Sequence, residues 1–131
     1  MTQPIFLTGD DVLRLHEDQI NRYGGSHGVR DHGLLESALA QPQAGFGDEY
    51  AHKDLFEMAA AYLYHLVQNH PFCDGNKRIG AYAAIIFLFI NGFKVRNVEA
   101  EFESLVMATA CGEKKKPEIA TFFQNNCTAI N

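Results

Sequence analysis

Ten consecutive residues, Ala81 to Ile90, are all apolar, and this run limits what the chain can become. A helix crossing a bilayer needs about 20 such residues, so no membrane span is expected. As a helix it is apolar on every side and needs protein all around it. The chain has 131 residues, 47% of them hydrophobic and 21% charged, which is enough to wrap one such rod in a single packed globule. One domain over residues 1–131 with a buried central helix is therefore expected.

The rest of the chain reads as helices around that rod. Thr8 can cap a first helix, with Asp11 at the reciprocal position and Leu7 stapling onto Val12. This helix should run to Tyr23 and stop at Gly24-Gly25. Asp31 can cap a second helix with Leu34, Leu35, Ala38 and Leu39 inward, and a loop holding Gly45 and Gly47 follows. A third begins near Lys53 or Asp54, where Leu55, Ala59, Tyr62, Leu63 and Leu66 recur at three and four residues. Pro71 ends it by His70. The apolar helix then runs to Gly92. Asn97 is expected to cap a helix carrying Phe102, Leu105 and Val106 and closed by Gly112. Pro117 suits the first turn of a last helix with Ile119, Phe122 and Phe123 inward. The fold class is all-α, about six helices. Phe93-Lys94-Val95 and Gly28-Val29-Arg30 are the only candidates for a short strand.

Lys plus Arg is 11 against 16 for Asp plus Glu, a net charge of −5, so a general nucleic-acid binder is not expected. Cys73, Cys111 and Cys127 are odd in number and lack metal-ligand spacing, which points to a reducing, cytoplasmic compartment. The start, MTQPIFLTGDD, has no basic stretch before an apolar core, so no secretion signal is expected.

The chemistry concentrates in His70-Pro71-Phe72-Cys73-Asp74-Gly75-Asn76-Lys77-Arg78, where one helix ends and the apolar helix begins. The first-turn N–H groups of Gly75, Asn76, Lys77 and Arg78 form an anion site by geometry and by helix dipole. Lys77 and Arg78 add positive charge where a helix start ordinarily disfavours it, so something negative should sit there. Asp74 beside a phosphate is a natural Mg²⁺ ligand. An imidazole such as that of His70 can take a proton from a hydroxyl near neutral pH. Phe72 should point inward and pin the loop. Together these residues suggest phosphoryl or nucleotidyl transfer to a hydroxyl.

This segment resembles the signature loop of the Fic/Doc family, whose pattern is H-x-F-x-D/E-G-N-G-R-x-x-R. His70, Phe72, Asp74, Gly75, Asn76 and Arg78 match. Lys77 stands for the second glycine and Ala81 for the final arginine, and both departures are similar to those of death-on-curing (Doc) toxins. Gly28 to Leu39 also resembles the segment that precedes the catalytic helices in Doc-type sequences. The resemblance implies roles. His70 would be the general base, and Asp74 would hold Mg²⁺ against ATP phosphates. Gly75 and Asn76 would line the anion cradle, and Lys77 and Arg78 would contact phosphate oxygens. It further implies a toxin that transfers the γ-phosphate of ATP to a hydroxyl of a translation factor such as elongation factor Tu, and that is neutralised by an antitoxin helix. AMP transfer, as in Fic enzymes with the second glycine, and a non-catalytic nucleotide-binding module are the alternatives. A side chain at Lys77 would crowd the Fic-type cradle, which favours the kinase.

Other features read more plainly. His65 and His70 are five apart, not the four that aligns two imidazoles for zinc, so His65 is expected to be a packed or surface residue. Lys114-Lys115-Lys116 suits a solvated turn. Phe87, Phe89, Phe122 and Phe123 are expected in the core. Either Gly24 to Gly28 or Gly45 to Gly47 could serve as a flap that holds a target segment by strand addition.

Overall fold

The computed structural model describes residues 3–130. Among them the chain forms α1 (Gly9–Tyr23), α2 (His32–Ala40), β1 (Gly45–Phe46), β2 (Glu49–Tyr50), α3 (Leu55–Asn69), α4 (Asn76–Ile90), β3 (Phe93–Val95), α5 (Glu99–Ala110), α6 (Lys116–Asn126) and β4 (Cys127–Ala129). The helix starts follow from local hydrogen bonding. Thr8 accepts from the Asp11 N–H while the Asp11 carboxylate accepts from the Thr8 N–H, a reciprocal cap. Asp31 and Asp54 cap α2 and α3 by accepting from Leu34 and Glu57 N–H. Leu7 and Val12 are both buried, and the Leu7 N–H donates to the Tyr62 hydroxyl at 2.9 Å, which ties the chain start to α3.

The core lies around α3 and α4, and α3 also packs extensively on α6. Tyr62, Leu63, Leu66, Ile79, Ala83, Ala84, Phe87 and Leu88 are fully buried. Each large apolar side chain among them contributes roughly 1.5–3 kcal/mol of transfer free energy. The two helices approach closely at Gly80, where an added Cβ would stand 2.7 Å from Val67 Cγ2 and 3.2 Å from the Leu63 carbonyl oxygen. Burial of α4 is one-sided at its far end. Phe89 is 55% exposed and Ile90 39%, so the rod is wrapped over most but not all of its length. Phe89 is thus not the core residue expected from its neighbours.

Two further expectations are corrected. Asn97 does not cap α5: the helix is entered from Val98 without any side-chain cap, after Val98 N–H bonds back to the Arg96 carbonyl. The Gly45–Gly47 loop is a small antiparallel hairpin with Gly45 opposite Tyr50 and Phe46 opposite Glu49. Of the two candidate strands, Phe93-Lys94-Val95 forms, whereas Gly28-Val29-Arg30 contributes an isolated bridge and not a strand. β3 pairs with β4, and Val29 bridges to Phe72.

Candidate active site

The nine-residue motif joins α3 to α4 and is held on its outer side by the chain between α1 and α2. His70 caps the C-terminus of α3 with φ 49°, a left-handed backbone that costs a non-glycine residue energy. Arg30 holds that turn. Its Nε donates to the His70 carbonyl at 2.8 Å and its Nη2 to the Asn69 carbonyl at 3.1 Å, satisfying the last carbonyls of α3. The Pro71 carbonyl accepts from Arg30 and Asp31 N–H, and the Cys73 N–H donates to the Gly28 carbonyl.

Within the loop, Asn76 closes a ring. The Phe72 N–H donates to its Oδ1 and its Nδ2 donates to the Phe72 carbonyl, both at 3.0 Å. This fixes which end of the amide is nitrogen. The second Nδ2 hydrogen faces Nδ1 of His70 at 3.2 Å. The imidazole is exposed while Asn76 is buried. The Asn76 side chain is therefore engaged inside the loop, and its backbone N–H has no acceptor among the described residues.

Asp74 is positioned from two sides. Its Oδ2 accepts from the Ser26 N–H at 3.1 Å and its Oδ1 from the Gly75 N–H at 2.8 Å. These two bonds hold its carboxyl below the usual carboxylate range, so it is ionised at neutral pH. Gly25 must be a glycine here, because a Cβ would stand 2.7 Å from Asp74 Oδ2. Beneath the loop, buried His16 of α1 places Nε2 2.7 Å from the Asp74 carbonyl oxygen. Its ring stacks on Phe72 at 3.8 Å and 10°. Burial lowers the His16 pKa, opposed by the bond to the Asp74 carbonyl.

Gly75 enters α4 in the left-handed region without a side-chain cap. Because its N–H is taken by Asp74, the expected cradle of four N–H groups is one of three. Those of Asn76, Lys77 and Arg78 have no acceptor among the described residues. Arg78 lies over the Tyr23 ring at 5.9 Å and donates from Nη2 to the Gly24 carbonyl at 3.1 Å. Its Nη1 is buried without a hydrogen-bond partner among the described residues. By turning outward the guanidinium can offer that nitrogen to an anionic oxygen. Lys77 is exposed. One carboxylate beside three N–H groups and an unsatisfied guanidinium nitrogen suits Mg²⁺ with phosphate, since that ion keeps few protein ligands and takes phosphate oxygens.

The motif thus gathers His70, Asp74, the Asn76 N–H and Arg78 at one helix junction. Outside it, His16, Ser26, Arg30 and Tyr23 support the site. No sequence signal singled out His16, whose position on α1 reads as part of an amphipathic face. Arg30 lies in the stretch that resembles Doc-type sequences, which marks the segment but not the guanidinium's role. Lys116 is not simply solvated: its Nζ stands 3.1 Å from His65 Nε2.

Residues 6–88 match the sequence profile described as the Fic/DOC family. The chain is 34% identical over 114 residues to the protein named Protein kinase doc of Escherichia phage P1, covering 87% of this chain and 89% of that protein. It is 47% identical over 73 residues to Toxin Doc of Mycolicibacterium smegmatis, covering 56% of each. With the helical fold and the motif geometry in place, these matches show that the chain belongs to the Fic/DOC family.

Proposed function

We propose that this chain is a Doc-type toxin, a protein kinase that moves the γ-phosphate of ATP onto a Ser or Thr hydroxyl of a translation factor of the elongation factor Tu kind. The observation that carries the reading is the helix junction itself. The exposed His70 imidazole stands beside first-turn N–H groups and an Arg78 nitrogen that lack a partner among the described residues. The name of the phage P1 relative supports kinase over AMP transferase.

In this reading Arg78 and the N–H groups of Asn76, Lys77 and Arg78 bind phosphate oxygens, with Lys77 as an additional point charge. Asp74 holds Mg²⁺. When bound, that ion supplies charge neutralisation on the phosphate oxygens. His70 accepts the proton of the target hydroxyl as the γ-phosphoryl group leaves ADP. In the resting loop the Asn76 amide occupies the Nδ1 lone pair, so the neutral ring carries its proton on Nε2. A hydroxyl meets a bare nitrogen by displacing the amide from Nδ1.

Among the described residues no helix is long and apolar enough to cross a membrane. We place the protein in the cytoplasm with its translation target, and paired with an antitoxin whose helix covers it.

The test is to incubate the chain with purified elongation factor and ATP labelled at the α- or the γ-phosphorus. Label from the γ-position and a mass gain of one phosphate on the target are expected. A gain of a nucleoside monophosphate would make it an AMP transferase, and ATP binding without turnover a binding module. Growth arrest that survives His70→Ala would exclude this chemistry as the cause of toxicity.

A further inference from the structure

The geometry points to His16 as a positioning residue for this site: through its Nε2–H bond to the Asp74 carbonyl and its ring on Phe72, it holds the Asp74–Gly75 turn in the conformation that presents the Asp74 carboxylate and the α4 N–H groups. The inference rests on the proposed phosphotransfer at that turn, and it assigns a role to a residue on another helix, 58 positions earlier in the chain.

Four observations carry it. His16 is only 3% exposed, on a face of α1 whose other buried members include Val12 and Ile20. An aliphatic side chain would fill such a place without desolvating a polar ring. The polar ring is used: a carbonyl oxygen can only accept, so the 2.7 Å contact to Asp74 fixes the proton on Nε2. The Asp74 carbonyl belongs to the residue just before left-handed Gly75, where no helical N–H reaches back to it, so it needs a donor from elsewhere. Finally, the same imidazole packs face to face on Phe72 at 3.8 Å and lies 3.6 Å from where a Cβ on Gly75 would be. One side chain thus touches three consecutive parts of the loop: its hydrophobic anchor, its carboxylate-bearing residue and its helix entry. The carboxylate of Asp74 then has one oxygen on Ser26 and one on Gly75, while His16 holds the backbone from which both hang.

The experiment compares His16→Phe, which keeps a ring on Phe72 but has no donor, with His16→Gln, which keeps an N–H of similar reach but no ring. Nitrogen-15 NMR reads the amides of Gly75, Asn76 and Lys77. Calorimetry reads binding of a non-hydrolysable ATP analogue with and without Mg²⁺, and thermal unfolding reads the fold. The wild-type chain is expected to show a His16 Nε2 proton protected from exchange. His16→Phe should displace the three amides and weaken Mg²⁺-dependent binding at least about tenfold, as loss of an outer-shell support does. His16→Gln should restore much of both.

A wild-type His16 protonated on Nδ1 alone would overturn the inference, even if a variant failed to fold. Loop amides and binding unchanged in His16→Phe would also overturn it, and so would equal loss of stability and binding in both variants. If the wild-type chain bound no nucleotide, the proposed function would fall, while the amide shifts and the tautomer would still decide what His16 does.

Discussion

The side-chain amide of Asn76 stands 3.2 Å from Nδ1 of His70 and is oriented by the backbone of Phe72 on both its oxygen and its nitrogen. The bond therefore sets the resting tautomer of the imidazole. Asn76→Asp should reverse it, because a carboxylate accepts but cannot donate, and draws the ring proton to Nδ1. Long-range proton–nitrogen spectra are expected to show His70 protonated on Nε2 in the wild-type chain and on Nδ1 in the variant. Identical spectra would mean that Asn76 does not control the ring. Asn76→Ala should cost about 1–3 kcal/mol of stability, since it leaves buried Phe72 groups unpaired.

Asp74 and Arg78 should separate in their kinetic signatures. Asp74→Asn keeps the size but loses the charge, and is expected to lower kcat/KM about 10–100-fold with a flattened Mg²⁺ dependence. Because the Ser26 and Gly75 N–H groups hold the wild-type carboxyl in its ionised form, Mg²⁺ dependence should persist as pH falls toward 5. Arg78→Lys has one point charge in place of a fork. It cannot keep the Gly24 carbonyl and also offer a second nitrogen to phosphate, so KM for ATP should rise about tenfold with kcat less affected. Steady-state kinetics over a Mg²⁺ series checks both. An Arg78→Lys enzyme with unchanged KM would remove Arg78 from the nucleotide site.

How much of this was legible in the sequence depends on range. The caps at Thr8, Asp31 and Asp54, the end of α3 before Pro71 and the proline in the first turn of α6 are local events, written within four residues of chain. The same holds for the motif, whose residues gather because they are consecutive. What stayed hidden is tertiary. His16 reaches Asp74 only because α1 packs on α4, and Arg30 reaches His70 across 40 residues. The α5 entry was misread because Asn97 is a good capping residue by type, yet a turn at Arg96–Val98 fixes the start one residue later. Phe89 was misread because an apolar run shows hydrophobicity but not which end of the rod its neighbours leave uncovered.

Gly80 tests the helix pair beneath the site. Alanine is the better helix former, so on an isolated helix Gly80→Ala would stabilise by up to about 1 kcal/mol. Here the new methyl meets Val67 Cγ2 at 2.7 Å and the Leu63 carbonyl at 3.2 Å, and the backbone oxygen cannot rotate away. Overpacking of this kind costs about 1–3 kcal/mol. Gly80→Ala should therefore unfold at lower urea concentration with an unchanged slope. A rise in the midpoint would mean that α3 and α4 are spaced more widely than described.

His65 predicts an acid limb of stability distinct from the catalytic site. It lies on α3 with Nε2 3.1 Å from Lys116 Nζ on α6. Burial, then the charge of Lys116, then His52, push its pKa from 6.5 down to about 4. The folded chain thus holds the ring neutral where the unfolded chain would protonate it. Stability from this group is present above about 6.5 and is lost as pH falls toward about 4. The ring is partly exposed, so the loss is discounted for solvent screening to about 1 kcal/mol. His52 shifts in the same direction and adds to it. Urea unfolding at pH 7 and pH 5 should show the drop in the wild-type chain and a smaller one in His65→Gln. Lys116→Met should also shrink it, by removing a positive charge that opposes protonation. If all three proteins lost the same stability between those pH values, the acid limb would belong to other groups and the α3–α6 contact would not sense pH.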